Sequence, residues 1–423
     1  MPKKSEIDGT EIVSVIPSTT DPTLVKFFGG TQLDAFGRLR VSDPLTIFDS
    51  KQTLDNAPLF WDDSEVSGAT TTSTHSTATA SSTMGVAATT AGKRVRQTFM
   101  RFNYQPGKSQ NIYMTGVMDL SGGGTGITRG IGMFDDNNGL FFQDDEGTMK
   151  VVVRSKTSGS AVDTKVTQAS WDDPLDGTGA SGITIDWTKT QVFAIDFEWL
   201  GVGSVRFCLV IDGAVVNVHT VKNANNLALV YMSTPCLPLR YEIDNDGTGA
   251  ASTMMQICAT VISEGGISRL GALRYKSTGG THIDCNTADT AYALVAIRLK
   301  AAALEATVLL EGVSVLAETN DDFEWFLALN PTVASAVTFG DETNSTVQSA
   351  VGESANPSLS TITGGTMIQG GFADASSGIT FPLANALRLG STISGTPDEI
   401  YLCARPLSAN ANIQGSLTWR EVS

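Results

Sequence analysis

The octet Val192-Phe193-Ala194-Ile195-Asp196-Phe197-Glu198-Trp199 alternates strictly, with Phe193, Ile195, Phe197 and Trp199 on one side and Ala194, Asp196 and Glu198 on the other. A period of two suits an extended strand with one dry face; a helix, at about 3.6 residues per turn, would scatter the same apolar set around its axis. Leu200-Gly201-Val202-Gly203-Ser204 supplies a turn. Val205, Phe207, Leu209 and Ile211 then resume the pattern, opposite Arg206, Cys208 and Val210. The spacing predicts an antiparallel hairpin with one core face and one wetter face. It also places Arg206 across from Glu198 as a modest cross-strand pair. Asp212-Gly213 turns the chain once more, into Ala214 to His219.

The same texture recurs. Gly132 to Phe134 is turned by Asn138-Gly139 into Leu140 to Phe142, and Asp145-Glu146-Gly147 turns again into Met149 to Arg154. Short strands with a turn every ten residues or so predict an all-β chain of antiparallel β-sandwich domains, jelly-roll or concanavalin-like, preceded by an extended N-terminal arm. With 423 residues, more than one core is expected. The segments read as a docking arm over 1–63, a Ser/Thr/Ala-rich linker or exposed strands over 64–93, a sandwich over 94–265, and a second, smaller sandwich over 266–423. The tract around Ala69 to Ala80 reads equally as linker, from its composition, or as strand, because threonine is a good strand former.

Charge excludes some functions. A net charge of −16 and a lack of clustered Lys and Arg argue against nucleic-acid binding. The start, Met1-Pro2-Lys3-Lys4-Ser5-Glu6, has no apolar core of a secretory signal. The most apolar region, Ala291 to Ala317, is interrupted by Arg298, Lys300, Glu305 and Glu311, so no membrane insertion is expected. Five widely spaced cysteines fit free thiols in a reducing cytoplasm.

The arm carries a specific signature. Leu33-Asp34-Ala35-Phe36-Gly37-Arg38-Leu39-Arg40-Val41 runs on to Leu45-Thr46-Ile47-Phe48-Asp49. Gly37 and Pro44 punctuate it into an extended, turning segment whose apolar residues need a surface to cover. This segment resembles a leader found in structural proteins of tailed bacteriophages, and the resemblance extends over about 33–265, including Trp199 to Gly203. It implies a virion component made in the host bacterial cytoplasm: a capsid decoration, a head or neck fibre, or a tail-associated protein. It also implies contacts with other virion proteins and a homo-oligomer, a trimer for instance. Phe36, Arg38, Leu39, Arg40 and Phe48 are then the expected interface residues.

Catalytic constellations are sparse. His75, His219 and His282 fall in three different regions, and no nucleophile-elbow motif is present. Asp196 with Glu198, Asp135-Asp136 and Asp144-Asp145-Glu146 are carboxylate pairs, which read first as charges on wet faces and turns. The expectation is therefore a chain without enzymatic activity and without a cofactor. Asp135-Asp136-Asn137-Asn138-Gly139 and Asp244-Asn245-Asp246-Gly247 are oxygen-rich loops that could hold Ca²⁺, or simply Asx-Gly turns. Trp61, Trp171 and Trp187 lie among Asp, Thr or Gly and are candidates to stack on a sugar ring. A host-surface glycan is thus the alternative partner, for a receptor-recognition protein or a polysaccharide depolymerase.

Overall fold

The computed structural model describes residues 44–118, 124–268, 270–319, 321–335, 337–374, 378–382, 388–408 and 410–422, together with six two-residue strands within residues 1–43. Two antiparallel β-sandwiches account for nearly all of these residues. Among the described residues, no helix is long and apolar enough to cross a membrane.

The first sandwich is built from fifteen strands. They are β1 (Leu45–Lys51), β2 (Trp61–Gly68), β3 (Thr71–Ser76), β4 (Ser81–Val86), β5 (Gly92–Thr98), β6 (Gln110–Val117), β7 (Ile127–Phe134), β8 (Gly139–Asp145), β9 (Thr148–Ser155), β10 (Val162–Thr167), β11 (Gln191–Phe197), β12 (Val205–Ile211), β13 (Ala214–Val221), β14 (Leu239–Asn245) and β15 (Ser252–Ser263). One eight-stranded sheet runs β13-β12-β11-β6-β15-β4-β3, and β1 pairs with the far half of the long strand β15. The facing seven-stranded sheet runs β10-β9-β8-β7-β14-β5-β2. Phe193, Ile195, Phe197, Val205, Phe207 and Leu209 all enter the core between them, as the alternation predicts. Within the hairpin, Arg206 faces Asp196 rather than Glu198. The ladder ends at Phe197, leaving Glu198 in the turn, where its backbone N–H donates to the Ser204 carbonyl.

The arm and tract boundaries are corrected. Strands β1 to β5 all join this sandwich, so it begins at Leu45 rather than at residue 94. The tract is strand, and part of it is buried: Met84, Ser81 and Ser82 are shut from solvent. Gln52, equally buried, accepts a hydrogen bond from the Ser82 hydroxyl at 2.9 Å, and its carbonyl meets His75 Nε2 at 2.8 Å. Serine and threonine there satisfy their hydroxyls locally while their backbones complete the ladder, a combination that composition alone conceals.

The second sandwich is smaller. Its strands are β16 (Ala272–Ser277), β17 (Ile283–Cys285), β18 (Tyr292–Leu299), β19 (Thr307–Ala317), β20 (Phe323–Leu329), β21 (Thr332–Val333), β22 (Gly340–Asp341), β23 (Val347–Val351), β24 (Ile362–Thr363), β25 (Thr366–Ala373), β26 (Gly378–Pro382), β27 (Glu399–Pro406) and β28 (Ala411–Val422). A five-stranded sheet, β16-β28-β19-β26 with β17 also on β28, faces the six-stranded sheet β22-β23-β18-β27-β20-β25. Trp325 and Trp419 lie buried in the core between them. All five cysteines are free.

Backbone bonds tie the two sandwiches together. Ser391 N–H donates to the Phe99 carbonyl at 2.9 Å, and Ile393 N–H donates to the Asp62 carboxylate at 2.7 Å. On another side, Gln105 and Ser268 exchange two hydrogen bonds of 2.6 and 2.8 Å.

Candidate functional site

Strand β14 presents the densest chemistry of the first sandwich. Tyr241 and Ile243 point into the core, so Arg240, Glu242 and Asp244 line the outer face of the seven-stranded sheet. The register sets Thr128, Gly130 and Gly132 of β7 on one flank and Lys93, Val95 and Gln97 of β5 on the other. Glu242 is paired with Lys93 at 2.8 Å and with Arg240 at 3.2 Å. Arg240 is itself buried. It also meets Asp136 at 2.6 Å and donates to Gln97 Oε1 at 2.9 Å.

The glycines of β7 make the floor. An added Cβ at Gly130 would meet the Phe134 ring at 3.0 Å, so the missing side chain is what lets that ring lie back over the strand. Phe134 stacks on Phe141 with ring centroids 4.2 Å apart. The Arg240 guanidinium lies 5.5 Å from the Phe134 centroid and that of Arg154 lies 5.0 Å from Phe141. Arg154 is oriented by Asp163 at 2.8 Å.

Burial, followed by the neighbouring charges of Glu242 and Asp246, pushes the Asp244 carboxyl above its ordinary range against the pull of Lys93. Asp246 is held below its ordinary range by the Thr248 hydroxyl and backbone N–H. Two neighbouring carboxylates on one strand face are thus placed in different surroundings, one paired with cations and one desolvated beside like charge. Acid–base work on a glycosidic bond draws on such an asymmetry, but it also needs two carboxyl groups facing each other across the bond, whereas these two stand side by side on one strand. Residue chemistry alone did not single out this row. Its signal was the period-two spacing of Glu242, Asp244 and Asp246 at the end of a strand.

The residues expected from sequence lie elsewhere. Trp61 is 2% exposed and donates to Ser50 Oγ at 2.9 Å; Trp171 is 5% exposed and donates to the Val166 carbonyl at 3.0 Å. Neither ring is open to a sugar: both fill the core, Trp61 from the first position of β2 and Trp171 from the loop after β10. Trp187 is half-buried and stacks on Phe193 at 6.4 Å, its indole N–H bonded to Gln168. Phe48 is likewise a core residue, packed on Phe60, Trp61 and Phe102, and not an interface residue. Leu39 and Arg40 form a two-residue strand with Gln32 and Leu33, whereas Phe36 and Arg38 lie outside the described residues.

Asp196 and Glu198 do not form a catalytic pair. Asp196 is bound by Arg206, and burial nonetheless raises its carboxyl above the ordinary range. In the first oxygen-rich loop, Asp135 accepts from the backbone N–H of Asn137 and Asn138 at 2.7 and 2.8 Å and pairs with Arg101 at 2.6 Å. Its oxygens are therefore already engaged, as in an Asx turn. Among the described residues, no group of three or more His, Cys, Asp or Glu is arranged to hold a metal ion.

No protein family and no curated protein matches the chain. Solved structures do. An endo-1,3-beta-glucanase from Streptomyces sioyaensis is 12% identical, covering 54% of this chain and 99% of its own, with a TM-score of 0.34. The CBM2 module of the evolved Dit of Lactobacillus casei BL23 phage J-1 is 7% identical, covering 54% and 100%, at 0.35. A legume lectin-like domain from Entamoeba histolytica is 8% identical, covering 52% and 97%, at 0.32. These likenesses are of fold. The expectation of a chain without enzymatic activity is corrected to an open one: a glucanase and a glycoside hydrolase family protein stand among the similar structures, a likeness of fold that assigns no activity to this chain. The physical reason is that glycosidic hydrolysis needs two carboxylates brought together by the fold, so a missing local motif says nothing against it.

Proposed function

We propose that this chain is a structural component of a tailed-phage virion that assembles through contacts between subunits. The observation that carries this reading is an apolar apex on the first sandwich. Leu200 and Leu229 are 51% and 69% exposed, with Val202, Leu227 and Val230 exposed beside them. The two loops are clasped together: Tyr231 N–H donates to the Gly201 carbonyl at 2.9 Å, and Gly201, at φ +78°, leaves room for Val230. Large apolar side chains grouped on a solvent face mark an interaction surface. The leader segment before Leu45 and a phage module among the similar folds agree with this reading.

Immunogold labelling of purified virions with antibody to the chain tests it. Dense label on head, neck or tail is the expected result. Unlabelled particles that label well for a coat protein would overturn it. In solution, a Leu200→Ser/Leu229→Ser variant should have a lower assembly mass than wild type by light scattering.

A second reading is favoured by the Glu242–Asp244 row: the same sandwich recognises a host-surface glycan and acts on it there. Release of reducing ends from envelope polysaccharide, lost in both Glu242→Gln and Asp244→Asn, is its expected signature. Glycan-array binding without release would reduce the reading to recognition alone.

A further inference from the structure

At the junction of the two sandwiches lies a partly open pocket of about 180 Å³, lined by Leu59, Phe60 and Phe99 of the first and by Asn330, Thr366, Arg388 and Asp398 of the second. It has room for on the order of six waters, or for one ring-sized molecule. The segment 390–398 is pinned by the Ser391–Phe99 and Ile393–Asp62 hydrogen bonds, and Asp398 N–H donates to the Gly390 carbonyl at 2.9 Å.

Two charged groups serve this cavity from different positions. Asp398 is 5% exposed, and Asn330 Nδ2 donates to its Oδ1 at 2.9 Å. Burial raises its carboxyl above the ordinary range, with Asp62 adding to the rise. Arg388 is half-buried in the cavity wall; burial holds it below its ordinary range, and among the described residues no ion pair joins it to a carboxylate. A desolvated guanidinium without a carboxylate beside it is costly unless an anion comes to it. Guanidinium suits a carboxylate or phosphate because its donors form a planar fork. Asp398 and Thr366 offer the acceptors and donor that hydroxyl groups need, while Asn330, which also accepts from the Glu399 N–H at 2.7 Å, holds the Asp398 carboxylate in place, and the apolar walls suit the carbon face of a ring.

We infer that this junction cavity binds a single sugar unit bearing an acidic substituent, with Arg388 receiving the anionic group and Asp398 and Thr366 receiving hydroxyls. The inference is independent of the apolar apex and of the Glu242–Asp244 row, which lie elsewhere on the chain.

The test is thermal unfolding and calorimetric titration of the full chain with glucuronate, glucose 6-phosphate, glucose and inorganic phosphate. Glucuronate or glucose 6-phosphate should raise the unfolding temperature, and the better of the two identifies carboxylate or phosphate as the acidic group. Glucose should bind at least about tenfold more weakly, as expected for loss of a charge-assisted contact. Arg388→Gln should abolish the preference for the acidic sugar while leaving the unliganded protein as stable as wild type or more so, because a partly desolvated cation has been removed. Arg388→Lys should restore part of the preference. Equal binding of glucose and glucuronate, or a shift with inorganic phosphate alone, would overturn the inference. So would a marked loss of stability in unliganded Arg388→Gln, which would make Arg388 a structural residue. Asp398→Asn, which keeps the side-chain shape, should weaken both acidic sugars without changing the order of preference.

Discussion

Arg96 and Asp63 meet at 2.5 Å between the sheets of the first sandwich, with the guanidinium wholly buried. Arg96 Nε reaches across to Gln256 Oε1 of the facing sheet at 2.6 Å, and Nη2 donates to the Asn56 carbonyl at 2.7 Å. Asp63 also receives Arg94 and the Ser73 hydroxyl. Removing the carboxylate would leave a buried cation with its partner gone. Asp63→Ala is therefore expected to destabilise the protein by about 3–5 kcal/mol. Urea unfolding checks this; a change below about 1 kcal/mol would mean that β2 contributes little to the core.

That pair also shows where sequence reading ran out. The β11–β12 hairpin was legible because its apolar residues alternate, and Phe193, Ile195, Phe197, Val205 and Phe207 face the core. Trp61 to Val86 has no such stripe. Its inward positions include Asp63, Ser73 and Ser82: Ser82 is buried and bonds Gln52, while the partly buried Asp63 gathers Arg94, Arg96 and the Ser73 hydroxyl. Satisfaction of buried polar groups is a long-range property, and a single sequence does not display it. The same holds for the junction, where Asp62 meets Ile393 across 331 positions. The Glu242–Asp244 row has the period of a strand, but in the sequence Asp244 also opens the Asx-Gly turn Asp244-Asn245-Asp246-Gly247, which masks its alternation with Glu242.

Gly390 closes the junction. A Cβ there would lie 2.4 Å from the Phe99 carbonyl oxygen and 3.0 Å from Asp398 Oδ2. The obstruction is backbone on one side and a buried carboxylate on the other, so neither can swing away. Gly390→Ala should cost about 1–3 kcal/mol through overpacking and lengthen the Ser391–Phe99 hydrogen bond. Calorimetry should show a lowered unfolding temperature, and hydrogen exchange at Ser391 should quicken; unchanged exchange would count against this closure.

Stability should fall in alkaline solution, and Cys208 is one cause. Burial pushes its thiol up to about 11 from 9.0, against the pull of Arg206. A group with a raised folded value stabilises the native state below its unfolded value and loses that contribution as pH rises through the folded one. The window is thus about pH 9 to 11. Burial raises the Cys285 and Cys403 thiols as well, so the three act with the same sign. Urea unfolding under reducing conditions should show declining stability across that window, with a shallower decline in Cys208→Ala. Near pH 8, only about a thousandth of Cys208 would be thiolate, so its reaction with a thiol reagent should be slow until the protein is unfolded.

Asp196 gives the opposite case of a salt bridge that does not compensate for burial. Arg206 is 56% exposed at its side chain, whereas Asp196 is 16% exposed. The guanidinium sits mostly in water and the carboxylate mostly does not. Burial accordingly outweighs Arg206 and raises the carboxyl above its ordinary range, with Glu264 adding to the rise. By the same sign rule, ionised Asp196 works against the fold at neutral pH, and the protein gains as the group takes up its proton. Asp196→Asn should therefore be as stable as wild type or more stable at pH 7, and the advantage should vanish as pH falls below the ordinary carboxylate range. Arg206→Ala should cost no more than about 1 kcal/mol, as exposed pairs do. Unfolding of both variants at neutral and acid pH decides the matter: a large loss in Asp196→Asn at pH 7 would mean that the pairing with Arg206 dominates, and the ordering of burial over charge argued here would be wrong.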